Sequence, residues 1–392
     1  MQELSMLAQA CNAIPPVFLR ANTLARPRQA RGRADGAEGR NALMATLRRD
    51  YNLASRASSL SPWGVELVGG RPPTGLRLAA WEQGMFEVQD VGSQVVAMAT
   101  NASRGDLVVD FCAGNGGKTL AMAAMVGREG LVVAHDVEVL RLKQLCGSLA
   151  RARVHPDSVQ VGAGGLACRH SCVCRSAVSC AQTLLLVCSC LCCSAVCSLC
   201  SGCWFAGAGV CRMQVMFSGK EVWLDKAAGS RVRDPQVEEW RRGWSFVVDE
   251  CQGARGADVV LVDAPCSSLG VLRRHPSLRW QLDEKQVESF PQVQLDILLQ
   301  ASDFVREGGT LVYATCSLDA AENTGVAEAF EASKPQFSPL PFPADFPGLC
   351  EWPRGSGDGC SVRGRRWLVP HVHGSDGFFI ARWCRGEWAP TN

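Results

Sequence analysis

The sequence predicts an α/β protein built on a mostly parallel sheet with helices on both faces, preceded by a small α+β region. Three observations carry this. From residue 107 onward, short apolar runs alternate with amphipathic stretches of helical spacing. The runs are continuously apolar, as in LVVDF (107–111) and ADVVLVD (257–263), which suits strands covered on both faces. Two of them end in a cysteine followed by small residues: Cys266 in VLVDAPCSS and Cys316 in LVYATCSLDAAEN. A thiol in that place lies at the carboxyl edge of a sheet, where open α/β folds bind ligands.

Each element follows from its pattern. LVVDF is the first strand, and 116–126 reads as a helix ending near Gly127. LVVAHD (131–136) is the second strand, with a helix over 137–151, and SVQVG (158–162) is the third. ADVVLVD is the fourth, and 284–305 is a long amphipathic helix. GGTLVYAT (308–315) is a strand entered through a glycine pair; 322–333 is helical, and GFFIARW (377–383) closes the sheet. Residues 1–85 have a different texture, with Pro, Arg and short strands such as WGVELVGG, and read as a separate small region. The segment 20–49 carries eight Arg against Asp35 and Glu38 and reads either as a solvated linker or as a basic groove.

Net charge is only +2, so the whole-chain charge does not announce a nucleic-acid partner. At 392 residues and 47% apolar, the chain has room for two or three domains and a sizeable core. The N-terminus lacks a basic start followed by an apolar core, so no secretory signal is expected. Of 21 cysteines, twelve fall in 168–211 and the other nine are scattered, as in a reduced intracellular enzyme. The stretch 168–211 breaks the strand–helix rhythm and carries no charge between Arg175 and Arg212. A membrane span fits its apolarity but would put strands of one sheet on opposite sides of a bilayer. A metal site is suggested by Cys197, Cys200 and Cys203, without the paired knuckles of a zinc module. An ordered insertion domain is a third reading. The preferred one is a low-complexity insert, disordered or foreign to the mature product, because a run of Cys, Ser, Leu and Val has no evident soluble surface.

Three motifs carry chemistry. DFCAGNGGKT (110–119) joins a strand to a helix, so its glycines admit a ligand to the backbone and to free helix N–H groups. It lacks the G-x-x-x-x-G-K-[ST] spacing of a phosphate loop; Asp136, ending the next strand, is placed to hold a ribose. DAPCSSLGVLRRHPSLRW (263–280) sets Asp263 and Cys266 beyond a strand. A cluster of Arg273, Arg274, His275, Arg279 and Trp280 follows, suited to phosphate contact and base stacking or simply to solvated surface. YATCSLDAAEN (313–323) holds Cys316, which alone would read as inert core.

Together with PPVFLRANTL, FEVQDVGSQ (86–94) and GSDGFFIARW, these motifs resemble the RNA cytosine-C5 methyltransferase family, in its bacterial ribosomal and Nop2/Sun-domain forms. The resemblance covers roughly residues 15–382 apart from the Cys-rich insert. It implies a Rossmann-like methyltransferase sheet, S-adenosylmethionine as cofactor and RNA as partner, ribosomal RNA rather than tRNA, with no DNA, no membrane, no metal and a monomeric state. The implied domains are an RNA-binding region over 1–85 and a catalytic domain over 86–167 and 212–385. The implied cofactor-binding residues are Cys112, Ala113, Gly114, Asn115, Gly116, Gly117, Lys118, Asp136 and Asp263. By position Cys316 resembles the nucleophile that adds to cytosine C6, Asp263 the acid at N3, and Cys266 the residue that assists loss of the C5 proton and release. Lys118 is expected beside the cofactor and the base. Where the family ends its third strand with an acid, SVQVGAGG has none, and Asp225 is a candidate replacement. A tRNA-directed enzyme, or an inactive RNA-binding relative disrupted by the insert, is the alternative. A DNA cytosine-C5 methyltransferase would lack the counterpart of Cys316.

Overall fold

The computed structural model describes residues 2–24, 36–69, 78–155, 158–163, 166–169, 213–217, 220–224, 256–343, 346–347 and 364–387. The first elements are α1 (Gln2–Asn12), β1 (Val17–Ala21), α2 (Gly36–Tyr51), β2 (Ser55–Ala57), β3 (Gly64–Leu67), α3 (Ala79–Glu82), β4 (Phe86–Val88) and α4 (Val91–Ala99). Then come β5 (Leu107–Asp110), α5 (Gly117–Val126), β6 (Leu131–His135), α6 (Val139–Arg151), β7 (Val159–Ala163), β8 (Leu166–Arg169), β9 (Met213–Phe217) and β10 (Lys220–Leu224). The last part holds β11 (Ala257–Asp263), α7 (Leu278–Gln281), α8 (Glu284–Ser302), β12 (Val305–Thr315), α9 (Val326–Ser333), β13 (Phe337–Pro339), β14 (Arg365–Leu368), α10 (Pro370–His373) and β15 (Phe378–Arg385).

The large sheet runs β13-β15-β12-β11-β5-β6-β7-β8, with β14 also paired to β15. Strands β12, β11, β5, β6 and β7 are parallel; β15 and β8 run antiparallel to their neighbours. This is the expected Rossmann-like sheet. The chain winds outward from β5 to β7, then returns to β11 on the other side of β5, so the topological switch point lies between β5 and β11. Val108, Val109, Val132, Val133, Val260, Leu261 and Val262 are fully buried, which is why their runs are apolar on both faces. Each such side chain contributes about 1.5–3 kcal/mol by leaving water.

The strand boundaries match the sequence expectation to within one to three residues. The longest extension is β12, which begins at Val305, because Ala257 pairs with Val305 around the glycine pair. Helix α8 ends at Ser302, three residues early. The insert expected over 168–211 lies outside the described residues except for Cys168 and Arg169, which end β8; Asp225 also lies outside them.

A four-stranded sheet, β2-β3-β1-β4, forms the N-terminal region with α2 packed on it. Leu19, Leu43, Leu47, Val65 and Phe86 make its core. The sheet reaches past the expected boundary at residue 85, because β4 pairs with β1 through Leu19–Val88 to Ala21–Phe86. The middle of the Arg-rich stretch, 25–35, lies outside the described residues. Arg20 is buried in β1, where desolvation lowers its pKa to about 10, and Arg40, Arg48 and Arg49 lie on α2.

The cluster expected to contact phosphate has a different job in part. Arg273 Nε donates to Asp376 Oδ1 at 2.9 Å, and the Arg273 and Asp376 side chains are 4% and 3% exposed. Arg274 pairs with Asp376 through Nε, and its Nη2 donates to Asp90 Oδ2 at 2.7 Å and to the Pro16 carbonyl at 3.2 Å. Asp90 also caps α4 by accepting from Gly92 N at 2.7 Å. These arginines therefore tie the cysteine loop to the N-terminal region and to the start of β15. Their charges are spent on buried carboxylates, a pairing that residue types alone do not reveal. His275 and Trp280 remain exposed.

Removing one partner of a buried pair leaves an uncompensated charge and typically costs about 3–5 kcal/mol. Asp376→Ala is expected to lower the unfolding free energy in urea by about that amount. Arg56→Ala, which breaks the exposed pair with Glu66, is expected to leave the urea midpoint in place.

Candidate active site

The site forms where the carboxyl ends of β5, β11 and β12 meet. Beyond β5 the chain turns through the glycine loop. Gly116 has φ +85°, and a Cβ there would collide with Leu145, so only glycine serves as the N-cap of α5. Gly114 is also left-handed, at φ +55°, and its position for a Cβ faces open space. Ala113 N donates to the His135 carbonyl at 2.8 Å, pinning the loop to β6. Asn115 is exposed, and Cys112 and Gly117 are half-buried. Burial and the nearby carboxylates, with Asp136 foremost among them, push the Cys112 thiol well up, so it stays protonated.

Asp136 is buried, and both of its oxygens are engaged. Oδ2 accepts from Gly114 N at 2.7 Å and Oδ1 from Glu138 N at 2.7 Å. It thus shapes the glycine loop from beneath, and each oxygen keeps a second lone pair for a ligand hydroxyl. Behind the loop, Asp110 Oδ2 accepts from Thr119 Oγ1 at 2.6 Å, while Oδ1 is buried with no partner. Burial raises the Asp110 pKa to about 7. An open left-handed glycine turn, a helix N-terminus and an engaged strand-end carboxylate fit a nucleoside with a flexible polar tail.

Lys118, in the first turn of α5, reaches across the switch point to Asp263, at the end of β11, with Nζ–Oδ2 2.6 Å. Burial opposes the Lys118 charge, but Asp263 outweighs it and raises the lysine's pKa. Its ammonium also sits 5.5 Å from the centre of the Phe378 ring. Parallel pairing of β11 with β12 sets Asp263 opposite Ala314, so the two following loops emerge side by side. Cys266 Sγ and Cys316 Sγ are consequently 3.3 Å apart, and both side chains are half-buried. Gly270 N donates to the Cys316 carbonyl at 2.8 Å. A Cβ on Gly270 would lie 2.7 Å from that carbonyl and closer still to the Gly377 carbonyl.

The two thiols differ. A hydrogen bond from Cys266 lowers the pKa of Cys316 and outweighs burial; the Ser268 hydroxyl, 3.5 Å away, and Lys118 act in the same direction. The same thiol–thiol contact, with burial, raises Cys266. Cys316 is therefore the thiol of the pair that ionises first, and Cys266 the one that keeps its proton longer. Four expected residues, Lys118, Asp263, Cys266 and Cys316, stand together, while the glycine loop and Asp136 form the adjoining cradle.

Sequence reasoning missed four participants. Ser268 sits at φ +61°, a strained conformation for a serine, beside Cys316. Phe378 faces Lys118 from β15. Gln294 and Glu322 lie beneath the cysteine loops; Glu322 was visible in YATCSLDAAEN, but its burial was not. The only available signal for it was an acid near the start of a helix that otherwise packs apolar residues.

The 16S rRNA methyltransferase RsmB/F family model matches residues 97–167 and 244–384, more than half of the chain. The chain belongs to this family. Among its relatives is a probable ribosomal RNA small subunit methyltransferase B of Synechocystis sp., 27% identical over 85% of this chain and 54% of the relative. Another is the 28S rRNA (cytosine(4447)-C(5))-methyltransferase of Homo sapiens, 25% identical over 93% of this chain and 35% of that protein. The chain thus spans about half or less of the length of these two relatives. NSun6 from Pyrococcus horikoshii has the same fold at 17% identity, with a TM-score of 0.61 over 99% of this chain and 95% of that one. A methyltransferase homolog protein from Pyrococcus horikoshii gives 0.59 at 18% identity, over 97% and 90%. Among the described residues, no helix is long and apolar enough to cross a membrane.

The directions of the two thiol shifts predict their reactivity. Cys316 forms thiolate at a lower pH than an ordinary thiol, and Cys266 only at a higher one. Iodoacetamide at near-neutral pH is expected to label Cys316 ahead of Cys266, as read by peptide mass spectrometry. Cys266→Ala removes the largest stabiliser of the Cys316 thiolate and is expected to move the pH midpoint of Cys316 labelling upward.

Proposed function

We propose that this RsmB/F-family chain is an S-adenosylmethionine-dependent RNA (cytosine-C5) methyltransferase that acts on ribosomal RNA through a covalent bond from Cys316 to C6. The observation that carries the reading is the 3.3 Å apposition of a lowered-pKa thiol with a raised one, beside the Lys118–Asp263 pair. The names of the relatives above support the choice of ribosomal RNA.

Cytosine C5 is a weak nucleophile. Addition of the Cys316 thiolate to C6 places an electron pair on C5; N3, where the developing charge settles, takes up a proton and donates through it to Asp263. Lys118 holds the Asp263 carboxylate in place and keeps positive charge at the reacting edge. The glycine loop (Cys112, Ala113, Gly114, Asn115, Gly116, Gly117, with Lys118) and Asp136 would hold S-adenosylmethionine, which would supply the methyl group for C5. Asp263, beside both groups, fixes the base relative to this cradle. Bonding of Cys316 to C6 consumes the thiolate that had raised Cys266. Cys266, its own proton released to solvent, then accepts the C5 proton; the C5–H electron pair becomes the C5=C6 double bond, Cys316 leaves as thiolate and N3 gives up its proton. A buried sheet edge requires the target base to be unstacked from its neighbours.

RNA carrying 5-azacytidine is expected to form an adduct that survives denaturing electrophoresis. Cys316→Ala abolishes it; on RNA with ordinary cytosine, Cys266→Ala is expected to accumulate an adduct that the wild type releases. An adduct formed by Cys316→Ala would overturn the assignment. Isothermal calorimetry is expected to show S-adenosylmethionine binding that Asp136→Ala weakens by roughly tenfold or more, since one hydrogen-bonded carboxylate is lost from the cradle.

A further inference from the structure

Beneath the two cysteine loops lies a buried polar cluster that takes no part in the chemistry above. Its centre is Glu322, fully buried in a π-helical turn, Ala321–Gly325, just beyond the Cys316 loop. Turns of this kind are uncommon and recur at functional sites. Four donors converge on the carboxylate. Oε1 accepts from the hydroxyls of Ser267 and Ser317, the latter at 2.6 Å. Oε2 accepts from Ser267 N at 2.9 Å and from Gln294 Nε2 at 2.8 Å. Ser267 follows Cys266 and Ser317 follows Cys316, and their two hydroxyls are 3.0 Å apart. Gln294, from α8, also donates to the Pro265 carbonyl at 2.9 Å, and Tyr313 of β12 donates to the Glu322 carbonyl at 2.6 Å. Asn323 completes the turn, accepting from Thr315 Oγ1 at 2.5 Å and donating to the Ser317 carbonyl at 3.0 Å.

We propose that Glu322 is a positioning residue: its one carboxylate grips the residue after each cysteine and so sets the separation of the two thiols. The assignment rests on the reading of Cys316 as nucleophile. An ionised carboxylate accepts only, so it satisfies four donors at once, which an amide does not. A glutamine there would turn an NH2 group toward at least one donor and loosen one loop from the other. The Glu322 charge also helps raise the Cys266 thiol, keeping it protonated as the donor to Cys316. A shift of a few tenths of an ångström between loops weakens the thiol–thiol contact, because hydrogen bonds are steep in distance and angle.

The test uses the full chain and two readouts. Glu322→Gln is expected to raise the pH midpoint of Cys316 alkylation by about one unit and to lower kcat by roughly tenfold, with KM for RNA changed less than about twofold. Glu322→Asp, which keeps the charge, is expected to recover part of both. Ser267→Ala with Ser317→Ala removes the two hydroxyl donors without adding an amide and is expected to shift the midpoint in the same direction by less. A purely structural role would lower the melting temperature and leave the midpoint where it is, and that result would overturn the proposal. If Glu322→Gln does not fold, an unchanged midpoint in the double serine variant overturns it equally. Because alkylation needs no RNA, absence of adduct trapping in the wild-type protein would defeat the proposed reaction and leave the placement of the thiols separately measured.

Discussion

The parallel pairing of β11 with β12, in the register that sets Asp263 opposite Ala314, is the constraint on which the site depends. Side chains alternate along a strand, so a slip of one residue would turn every side chain of β12 to the other face of the sheet. The thiols would then leave each other, and Glu322 would lose one of its two loops. The register is held by a dry interior: Val260, Leu261, Val262, Leu311, Val312 and Tyr313 are all fully buried. The hydrophobic core therefore does more than stabilise the sheet. It holds the relative height of two loops whose chemistry is decided at the scale of a hydrogen bond.

Electrostatics then separates two residues of identical type. Both cysteines are half-buried at the same sheet edge, yet one is lowered and the other raised. The difference comes from direction. Cys316 has the Ser268 hydroxyl and Lys118 beside it as well as Cys266, whereas Cys266 lies on the side of Glu322. A half-buried lysine–aspartate pair at 2.6 Å supplies a fixed dipole beside them, at the point where two halves of the sheet wind apart. The same switch point brings the glycine loop within one strand spacing of β11 and Asp136 within two, so the cradle adjoins the thiols.

Much of this was legible in the chain itself, for identifiable reasons. The strands were readable because burial on both faces demands unbroken apolar runs, as in LVVDF and ADVVLVD. The turns were readable because glycine and proline mark positions that other residues fit badly, as Gly116 shows. The pairings between distant residues were hidden. Arg273 and Arg274 read as a surface charge cluster until Asp376 and Asp90, far along the chain, closed around them. Glu322 read as one more helix acid, because nothing local reports that Ser267 and Gln294 aim at it. Arg20 looked like part of a basic stretch, though its place in the middle of β1 puts it indoors. Local periodicity reports which face a residue occupies, and only the fold reports what it meets there.

The antiparallel strand β8 has a consequence for how this sheet tolerates extra chain. β7 delivers the backbone to the carboxyl edge, beside the cradle, and β8 runs it straight back, with Arg169 opposite Gln160. The chain re-enters the sheet through Ala257, at the amino end of β11. Both anchor points of the intervening segment therefore lie at the edge remote from the thiols. Seven residues of β11, each advancing about 3.3 Å, separate the return point from Asp263 by roughly 20 Å. Lengthening such a connection costs only about 0.6 kcal/mol per doubling in closure entropy. The length of β11 thus acts as a spacer between the two described ends of that segment and the thiols.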